Sequence, residues 1–344
     1  MVSRRLRTLL VGGVLFLVLF VLALTMPVPY VILSPGPTYN TLGTDDSGDT
    51  IIVINGTTAK ATSGHLNLTT VNVSTQPLTA FAALDGWLLH DEVVVPKAAI
   101  YPPGTSQQQV NAQNLQEFTQ SQDSATAAAF CELGYGKGFG VITVDPKGPA
   151  RAVLHPGDRL LELNGRPIDS SEKIAAVLGT QTPGTAAKVS VTRAGKPVVL
   201  TVVLTTPRAG GKGARLGITV DNGCLAPFEV DLGLGNQIGG PSAGLMFALG
   251  IMDKVGTVDL TKGMFIAGTG TIDPDGKVGP IGGIALKMIA ARHKGATIFL
   301  APAGNCPEVR AATPKGLTVV QVDTLHAAVK DLLALQAGQA TPRC

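Results

Sequence analysis

The sequence has 344 residues, enough for two domains of ordinary size, and its net charge is only +3 with 15% charged residues. No basic cluster lies beyond the first few residues, so a nucleic-acid partner is not expected. A hydrophobic content of 45% together with 42 glycines excludes a disordered chain and is typical of a folded α+β protein.

The chain opens with a basic tip that is followed by an apolar run. Residues 9–26 carry no charge and are numerous enough to cross a bilayer. Arg4, Arg5 and Arg7 precede the run, and positive charge favours the cytoplasmic side. We therefore expect residues 1–27 to form a cytoplasmic tip and a transmembrane helix, with the rest of the chain outside. A cleaved signal peptide is the alternative, although no small-residue cleavage site follows the run.

Residues 28–135 are predicted to form an extracytoplasmic connecting region that is β-rich and then helical. Residues 50–75 alternate β-branched and polar side chains between glycine turns, which indicates short strands. From Ser106 to about Tyr135 the composition is helical and largely polar. We expect this region to connect or cover the domains.

A different pattern begins at residue 136 and continues to residue 205. It indicates a strand, a short helix from Gly148-Pro149-Ala150, a strand closed by Asn164-Gly165, a second helix and two final strands. Together with the loop Gly138-Phe139-Gly140-Val141, these residues resemble a PDZ domain of the bacterial protease-associated type.

The resemblance implies a β-sandwich with two helices over residues 136–205, which binds peptides by strand addition. The implied peptide-binding residues are Gly138, Phe139, Gly140 and Val141. A peptide would pair beside the strand that starts at Val141, and its terminal carboxylate would meet the N–H groups of the loop. The alternative is a small domain that only packs against its neighbour.

The stretch IGGPSAGLMFALGIMDKV, residues 238–255, places Ser242 between glycines and an apolar helical pattern. Pro241 is favourable at the first helical position, so the pattern predicts Ser242 in the first turn. Free N–H groups and the helix dipole at such a turn can hold an oxyanion. An ordinary helix start, for which Ser and Pro are favoured, is the alternative.

Lys287 is the only charged residue of the apolar segment 284–291, which is predicted to be a buried helix. A buried lysine costs free energy unless it loses its proton or finds a partner. If the pKa of its amine is lowered from ~10.4 by about three units, the amine can act as a general base for Ser242 at neutral pH. The alternative is a lysine whose head group reaches solvent.

The surroundings of these two residues resemble the peptidase domain of the Lon-type Ser–Lys proteases. The matching segments are GGPSAG at 239–244, GTG at 268–270, and PIGG at 280–283 followed by Lys287. The resemblance covers about residues 215–337, after a Gly- and Lys-rich joint at 205–215, and implies a Lon-type α/β peptidase domain.

The same resemblance assigns roles to five residues. It implies that Ser242 is the nucleophile and that Lys287 is the general base. Thr269 matches the threonine whose hydroxyl helps to orient the lysine amine. Gly239 and Gly240, with the backbone of Ser242, are implied to form the oxyanion hole.

Two segments depart from the Lon pattern. Residues 237–239 read Gln-Ile-Gly where Lon has Pro-Lys-Asp, and Thr271 stands where Lon has Glu. The dyad is intact, but its polar surroundings differ. No G-x-x-x-x-G-K-[ST] loop occurs in the sequence, so ATP-independent hydrolysis is expected, with no cofactor and no metal.

The order of anchor, PDZ domain and Lon-like domain resembles the YlbL-type membrane-anchored Lon-like proteins of bacteria. It implies a serine endopeptidase that hydrolyses peptide bonds of unfolded or small extracytoplasmic or membrane proteins. Its partners would be protein or peptide substrates and the membrane, and a homo-oligomer is left open. Two alternatives are a non-catalytic, membrane-tethered PDZ adaptor and a Ser–His–Asp triad. The sequence offers five histidines for such a triad: His65, His90, His155, His293 and His326.

The four cysteines lack the spacing of a zinc site. Outside the membrane a disulfide can form. Cys224 and Cys306 flank the predicted catalytic region, so they are the predicted pair, while Cys131 and Cys344 are left over.

Overall fold

The computed structural model describes residues 4–88, 91–207, 213–234 and 238–344. His90, Gln237 and part of the expected joint at 205–215 lie outside the described residues. The helices are α1 (Arg4–Thr25), α2 (Ala80–Leu88), α3 (Lys97–Ile100), α4 (Gln107–Glu132), α5 (Ser171–Leu178), α6 (Gly244–Val255), α7 (Ile284–Lys294), α8 (Cys306–Ala312) and α9 (Leu325–Gln336). The strands of the N-terminal half are β1 (Pro27–Val28), β2 (Tyr30–Asn40), β3 (Ile52–Asn55), β4 (His65–Val73), β5 (Leu78–Thr79), β6 (Val93–Pro96), β7 (Lys137–Val144), β8 (Arg159–Leu163) and β9 (Arg166–Pro167). Those of the C-terminal half are β10 (Ala186–Arg193), β11 (Lys196–Val203), β12 (Ile218–Cys224), β13 (Glu229–Leu232), β14 (Phe265–Gly268), β15 (Thr271–Ile272), β16 (Val278–Gly279), β17 (Ile298–Pro302) and β18 (Thr318–Val322).

Helix α1 is long and apolar enough to cross a membrane over Arg7–Thr25, and none of that window is buried against the rest of the protein. The short strands β1 and β5 pair directly after it. The chain therefore presents an unburied apolar helix where the sequence predicts a transmembrane segment.

The largest sheet has the strand order β18-β17-β14-β4-β2-β6. Strands β18, β17, β14 and β4 run parallel, and β2 and β6 add to them in antiparallel fashion. Residues 28–135 supply β4, β2 and β6, whereas residues 215–337 supply the other three. The structure thus differs from the expectation of a connecting region, because both segments build one sheet.

Helix α6 lies in the centre of the core, and its residues from Gly244 to Lys254 are all buried. Residues 244–252 of this helix are apolar on every side, which is the pattern of a helix enclosed by protein. Phe247 meets Phe118 of α4 edge to face, with ring centroids 5.9 Å apart. Alternate residues of β14 pack on opposite sides: Ile266 joins the cluster that contains α6, and Ala267 joins the one that contains α7. The sheet therefore lies between these two helices.

The smaller domain is built on a sheet with the order β11-β10-β8-β7-β12. Helix α5 covers its core through Ile174, Val177 and Leu178. The predicted Asn164-Gly165 turn is confirmed, since φ is +53° at Asn164 and +74° at Gly165. The predicted helix at Gly148-Pro149-Ala150 is wrong, because the segment forms turns only.

Two disulfides link Cys131 to Cys224 and Cys306 to Cys344. The predicted pair, Cys224 with Cys306, is therefore wrong. Position in the sequence cannot reveal that α4 passes beside the end of β12 and that the C-terminus returns to α8. The first disulfide ties the helix that covers the core to the edge of the smaller sheet.

Candidate active site

A cleft of about 780 Å³ opens where β4 continues beyond the end of β14. One wall is formed by residues 68–73 of β4, and the facing wall by residues 238–243 and 280–283. Asn305 fixes the second wall: its side-chain oxygen accepts from the N–H of Ile281 at 2.9 Å and its amide donates to the Ile281 carbonyl at 2.8 Å. Ser242 and Lys287 both line this cleft.

Ser242 lies in a turn just before α6, which begins at Gly244 with Ala243 as its N-cap. The prediction that Pro241 starts the helix and that Ser242 lies in its first turn is therefore wrong by a few residues. The carbonyl groups of this segment are bound from outside the helix. Ser121 of α4 donates to the Pro241 carbonyl at 2.8 Å, and the N–H of Gly270 donates to the Ser242 carbonyl at 2.9 Å.

Lys287 projects from the first turn of α7, and the prediction of a helix over 284–291 is confirmed. The side chain is 3% exposed, and its Nζ lies 2.6 Å from Oγ of Ser242. Burial among apolar groups lowers the pKa of Lys287 from 10.5 to about 7. An amine with this pKa is present as the free base in a large fraction of molecules at neutral pH.

Thr269 connects the amine to the backbone of the serine. Its Oγ1 lies 3.0 Å from Nζ of Lys287 and donates to the Ser242 carbonyl at 3.0 Å. Because the Thr269 hydroxyl donates its hydrogen to the carbonyl, the threonine oxygen accepts a hydrogen bond from the Lys287 amine. The amine's lone pair is then left to face Ser242.

The glycines before Ser242 differ from each other in their contacts. The N–H of Gly240 donates to the Asn114 carbonyl of α4 at 2.8 Å, so that donor is engaged in this structure. Among the described residues, the N–H groups of Gly239 and Ser242 have no acceptor. Gly240 has a φ of +84°, a conformation that favours glycine.

The four histidines that the structure describes all lie outside the cleft. His65 stacks on Phe265 with ring centroids 4.4 Å apart, and His326 Nδ1 lies 2.7 Å from a carboxylate oxygen of Glu132. His293 is in the last turn of α7. A Ser–His–Asp triad around Ser242 therefore has no candidate histidine within the described part of the chain.

The predicted peptide-binding residues Gly138, Phe139, Gly140 and Val141 lie in β7, an inner strand. Strand β12 pairs with β7 along its whole length, and β8 pairs with it on the other side at Gly140. A peptide cannot add beside β7, so this prediction needs correction. The x-Φ-G-Φ pattern alone does not identify the peptide-binding strand, because it occurs at two strands of this sheet.

The second copy of that sequence is Arg215-Leu216-Gly217-Ile218, at the start of β12. Strand β12 is the last strand of its sheet, so its outer edge is unpaired within the described residues. A groove of about 660 Å³ lies there, lined by Ile174 and Leu178 of α5 and by Ile218 and Val220. Because the N–H of Asp145 donates to the Gly217 carbonyl, the next residue, Ile218, turns its backbone groups to the free edge.

Sequence reasoning missed the part that residues 28–135 play in the cleft. Val71 lines one wall, and Asn114 and Ser121 hold the loop that carries Ser242. The alternation within 65–73 reveals a strand, and the Ser106–Gln109 capping box, present in the structure, marks the start of α4. Neither signal indicates what the element touches.

Family models match two parts of the chain. The model for a PDZ domain, PDZ_2, matches residues 112–204. The model for the Lon protease (S16) C-terminal proteolytic domain matches residues 237–335. The chain therefore carries a PDZ domain and a Lon-type proteolytic domain, the architecture of a PDZ plus Lon-like protease.

Individual relatives match only a part of the chain. It is 32% identical over 109 residues to the periplasmic pH-dependent serine endoprotease DegQ of Escherichia coli. This match covers 30% of this chain and 24% of DegQ. It is 38% identical over 64 residues to the magnetosome formation protease MamE of Magnetospirillum gryphiswaldense, which covers 18% of this chain and 8% of MamE. The chain thus spans a quarter or less of these curated relatives.

Solved structures match over a similar share of the chain. The PDZ domain of the SdrC-like protein Lmo2051 from Listeria monocytogenes is 28% identical with a TM-score of 0.23, covering 24% of this chain and 86% of that one. GtR34C from Geobacillus thermodenitrificans is 31% identical with a TM-score of 0.22, and the match covers 24% of this chain and 95% of GtR34C.

Proposed function

We propose that this protein is a membrane-anchored serine endopeptidase in which Ser242 is the nucleophile and Lys287 the general base. The observation that carries the proposal is the buried amine of Lys287, which lies 2.6 Å from the Ser242 hydroxyl in a cleft. The Lon-type proteolytic domain that spans both residues supports it.

The proposed reaction has two steps that share one proton carrier. The neutral amine takes the Ser242 proton as Oγ attacks the carbonyl carbon of the scissile bond. The ammonium then gives that proton to the departing nitrogen, the C–N bond breaks, and an acyl ester remains on Ser242. Water attacks the ester with the amine as base, and the proton finally returns to Oγ, releasing the acid.

Thr269 and the backbone before α6 would support this chemistry. Thr269 orients the amine, and the N–H groups of Gly239 and Ser242 are placed to stabilise the oxyanion. The N–H of Gly240 can join them only if its bond to the Asn114 carbonyl, 2.8 Å in length, is released. We therefore assign Gly240 to the oxyanion hole only in a rearranged state of the loop.

The peptide-binding function is reassigned from β7 to the free edge of β12. A peptide that adds there would pair with the backbone of Ile218 and Val220 and place side chains against Ile174 and Leu178. Its terminal carboxylate would meet the loop at Arg215–Gly217. This edge would present tails of protein substrates to the proteolytic domain.

The proposed anchor is α1, with its N-terminus in the cytoplasm and both domains outside. Substrates would be unfolded or small extracytoplasmic or membrane proteins, hydrolysed without ATP. DegQ is a periplasmic protease, which is in keeping with an extracytoplasmic PDZ domain in this protein.

The test compares the full chain in detergent with Ser242→Ala, Lys287→Met and Lys294→Met on an unfolded protein substrate. Lys294 is exposed at the end of the same helix, so its variant is the matched control. We expect loss of turnover in the first two variants and normal turnover in the control. Equal turnover by all four proteins would remove the dyad, whereas no turnover by any of them would favour a non-catalytic PDZ adaptor.

A further inference from the structure

Helix α2 turns its large apolar side chains outward and its small residues inward. Phe81, Leu84, Trp87 and Leu88 are 49%, 54%, 73% and 63% exposed. At about 100° per residue these four lie on one arc of about 120°. On the opposite side Gly86 is buried, and a Cβ added to it would lie 3.0 Å from Ile32 of β2.

This arrangement is the reverse of a helix that faces water, in which the large apolar residues point to the core. Contiguous exposed apolar surface marks a site of interaction with a protein or a membrane. Asp85 is the single charged residue of the helix and lies at the margin of the apolar arc.

The position of α2 indicates which partner covers this face. Helix α1 ends at Thr25, the next strand, Pro27–Val28, pairs with Leu78–Thr79, and α2 begins at Ala80. Helices α1 and α2 are also in contact. The exposed apolar face therefore lies next to the end of the proposed membrane-crossing helix, at the depth where Trp is enriched in membrane proteins.

We propose that α2 is an interfacial helix whose face of Phe81, Leu84, Trp87 and Leu88 lies in the headgroup boundary of the lipid bilayer. The proposal rests on the membrane anchoring by α1 proposed above. A short helix with bulky apolar residues on one side binds such a boundary through the area that it removes from water.

This contact would set the distance between the bilayer and the cleft. Helix α2 packs on β6 and β2, and α3 follows β6 directly. Ala99 and Ile100 of α3 line the cleft that holds Ser242. With α2 fixed to the lipid surface, the cleft accepts extended segments that lie close to the membrane. The substrate class is thereby narrowed to membrane-proximal stretches of polypeptide.

Trp87 is the single tryptophan of the chain, so its fluorescence reports on this face directly. The full chain is reconstituted in phosphatidylcholine vesicles whose lipids carry bromine near the glycerol end or near the tail end of the acyl chain. We expect loss of most of the Trp87 emission with the shallow bromine, weaker loss with the deep bromine, and little quenching by aqueous iodide. The double variant Leu84→Asp/Leu88→Asp should lose the lipid quenching.

Two matched reporters are made in the Trp87→Phe background. Phe20→Trp lies in α1, and Val199→Trp lies at a 67% exposed position of β11 in the PDZ sheet. One outcome would overturn the α2 proposal and leave the anchor intact. In that outcome iodide quenches Trp87 as strongly as it quenches Val199→Trp, while the deep bromine quenches Phe20→Trp. Protection of Trp87 from both iodide and brominated lipid would mean that another copy of the chain covers the face, which also overturns it. A Phe20→Trp signal untouched by lipid bromine would overturn the anchor and this proposal with it.

Discussion

Burial has two opposite effects on Lys287: it activates the amine and it destabilises the folded protein. The pKa of about 7 means that the amine loses its proton as the pH rises through neutrality. We therefore predict that kcat/KM rises from pH 5 to pH 8 with a midpoint near the pKa of Lys287 and then levels off. The pH profile of hydrolysis of a short peptide, chosen without titratable groups, measures this. A flat profile over that range would contradict a role of Lys287 as base.

Burial of Lys287 also makes the stability of the folded protein depend on pH, and the protein is least stable where the amine is protonated. Because the pKa of Lys287 is about 7 when folded and 10.5 when exposed, the unfolded state holds an extra proton between these values. Stability therefore rises with pH across this window, by about 5 kcal/mol from this group.

We predict that Lys287→Met removes this rise and is more stable than the parent protein at pH 6. Thermal unfolding midpoints of both proteins in detergent at pH 6, 8 and 9.5 provide the comparison, since the other titrating groups cancel in the difference. A constant difference in Tm at all three pH values would show that the amine keeps its ordinary pKa.

At the scale of an element, β12 combines a paired edge with a free one. Ile218 and Val220 present their N–H groups to the free edge, whereas Thr219 faces β7. Proline removes an N–H and is tolerated only where that donor is not paired. We predict that Val220→Pro weakens binding of a peptide with a free terminal carboxylate and leaves Tm nearly unchanged.

The matched control for this variant is Thr219→Pro, one residue away, which should lower Tm because it breaks the ladder with β7. Fluorescence polarisation of a labelled peptide and thermal unfolding report the two effects. Unaltered peptide binding by Val220→Pro would exclude the free edge of β12 as the peptide site.

The disulfide Cys131–Cys224 joins two elements that are 93 residues apart, whereas Cys306–Cys344 closes a segment of 38. Closing the longer loop removes more entropy from the unfolded chain, and a disulfide of this kind contributes roughly 2–4 kcal/mol. We predict a larger fall in Tm for Cys131→Ala/Cys224→Ala than for Cys306→Ala/Cys344→Ala. A larger fall in Tm for Cys306→Ala/Cys344→Ala would mean that native contacts at the C-terminus contribute more than the loop-closure entropy of the unfolded chain.

Local elements could be predicted from the sequence because their signals are local. The helix that carries Lys287 and the Asn164-Gly165 turn follow from neighbouring residues. Local signals do not single out the edge of β12, because β7 and β12 carry the same x-Φ-G-Φ pattern and only the strand order distinguishes them.

At the scale of the whole molecule, the pairing of distant segments could not be predicted. Thr69 of β4 donates to the carbonyl of Gly268, 199 residues away, and nothing in the residues between them encodes that contact. The site residues predicted from the sequence therefore do not include the wall that β4 contributes to the cleft. The closeness of Ser242 and Lys287 was expected from the resemblance to Lon-type proteases, and their distance in the structure agrees with it.

The division of the large sheet between the two ends of the chain has a consequence for synthesis. Strands β2, β4 and β6 are synthesised first, and the edge of β4 that pairs with β14 stays unpaired at that stage. The PDZ sheet is synthesised next and ends at Cys224. The last strands emerge only after that. The free edge of β12 is thus complete before the strands and helix that complete the cleft around Ser242 and Lys287 have been made.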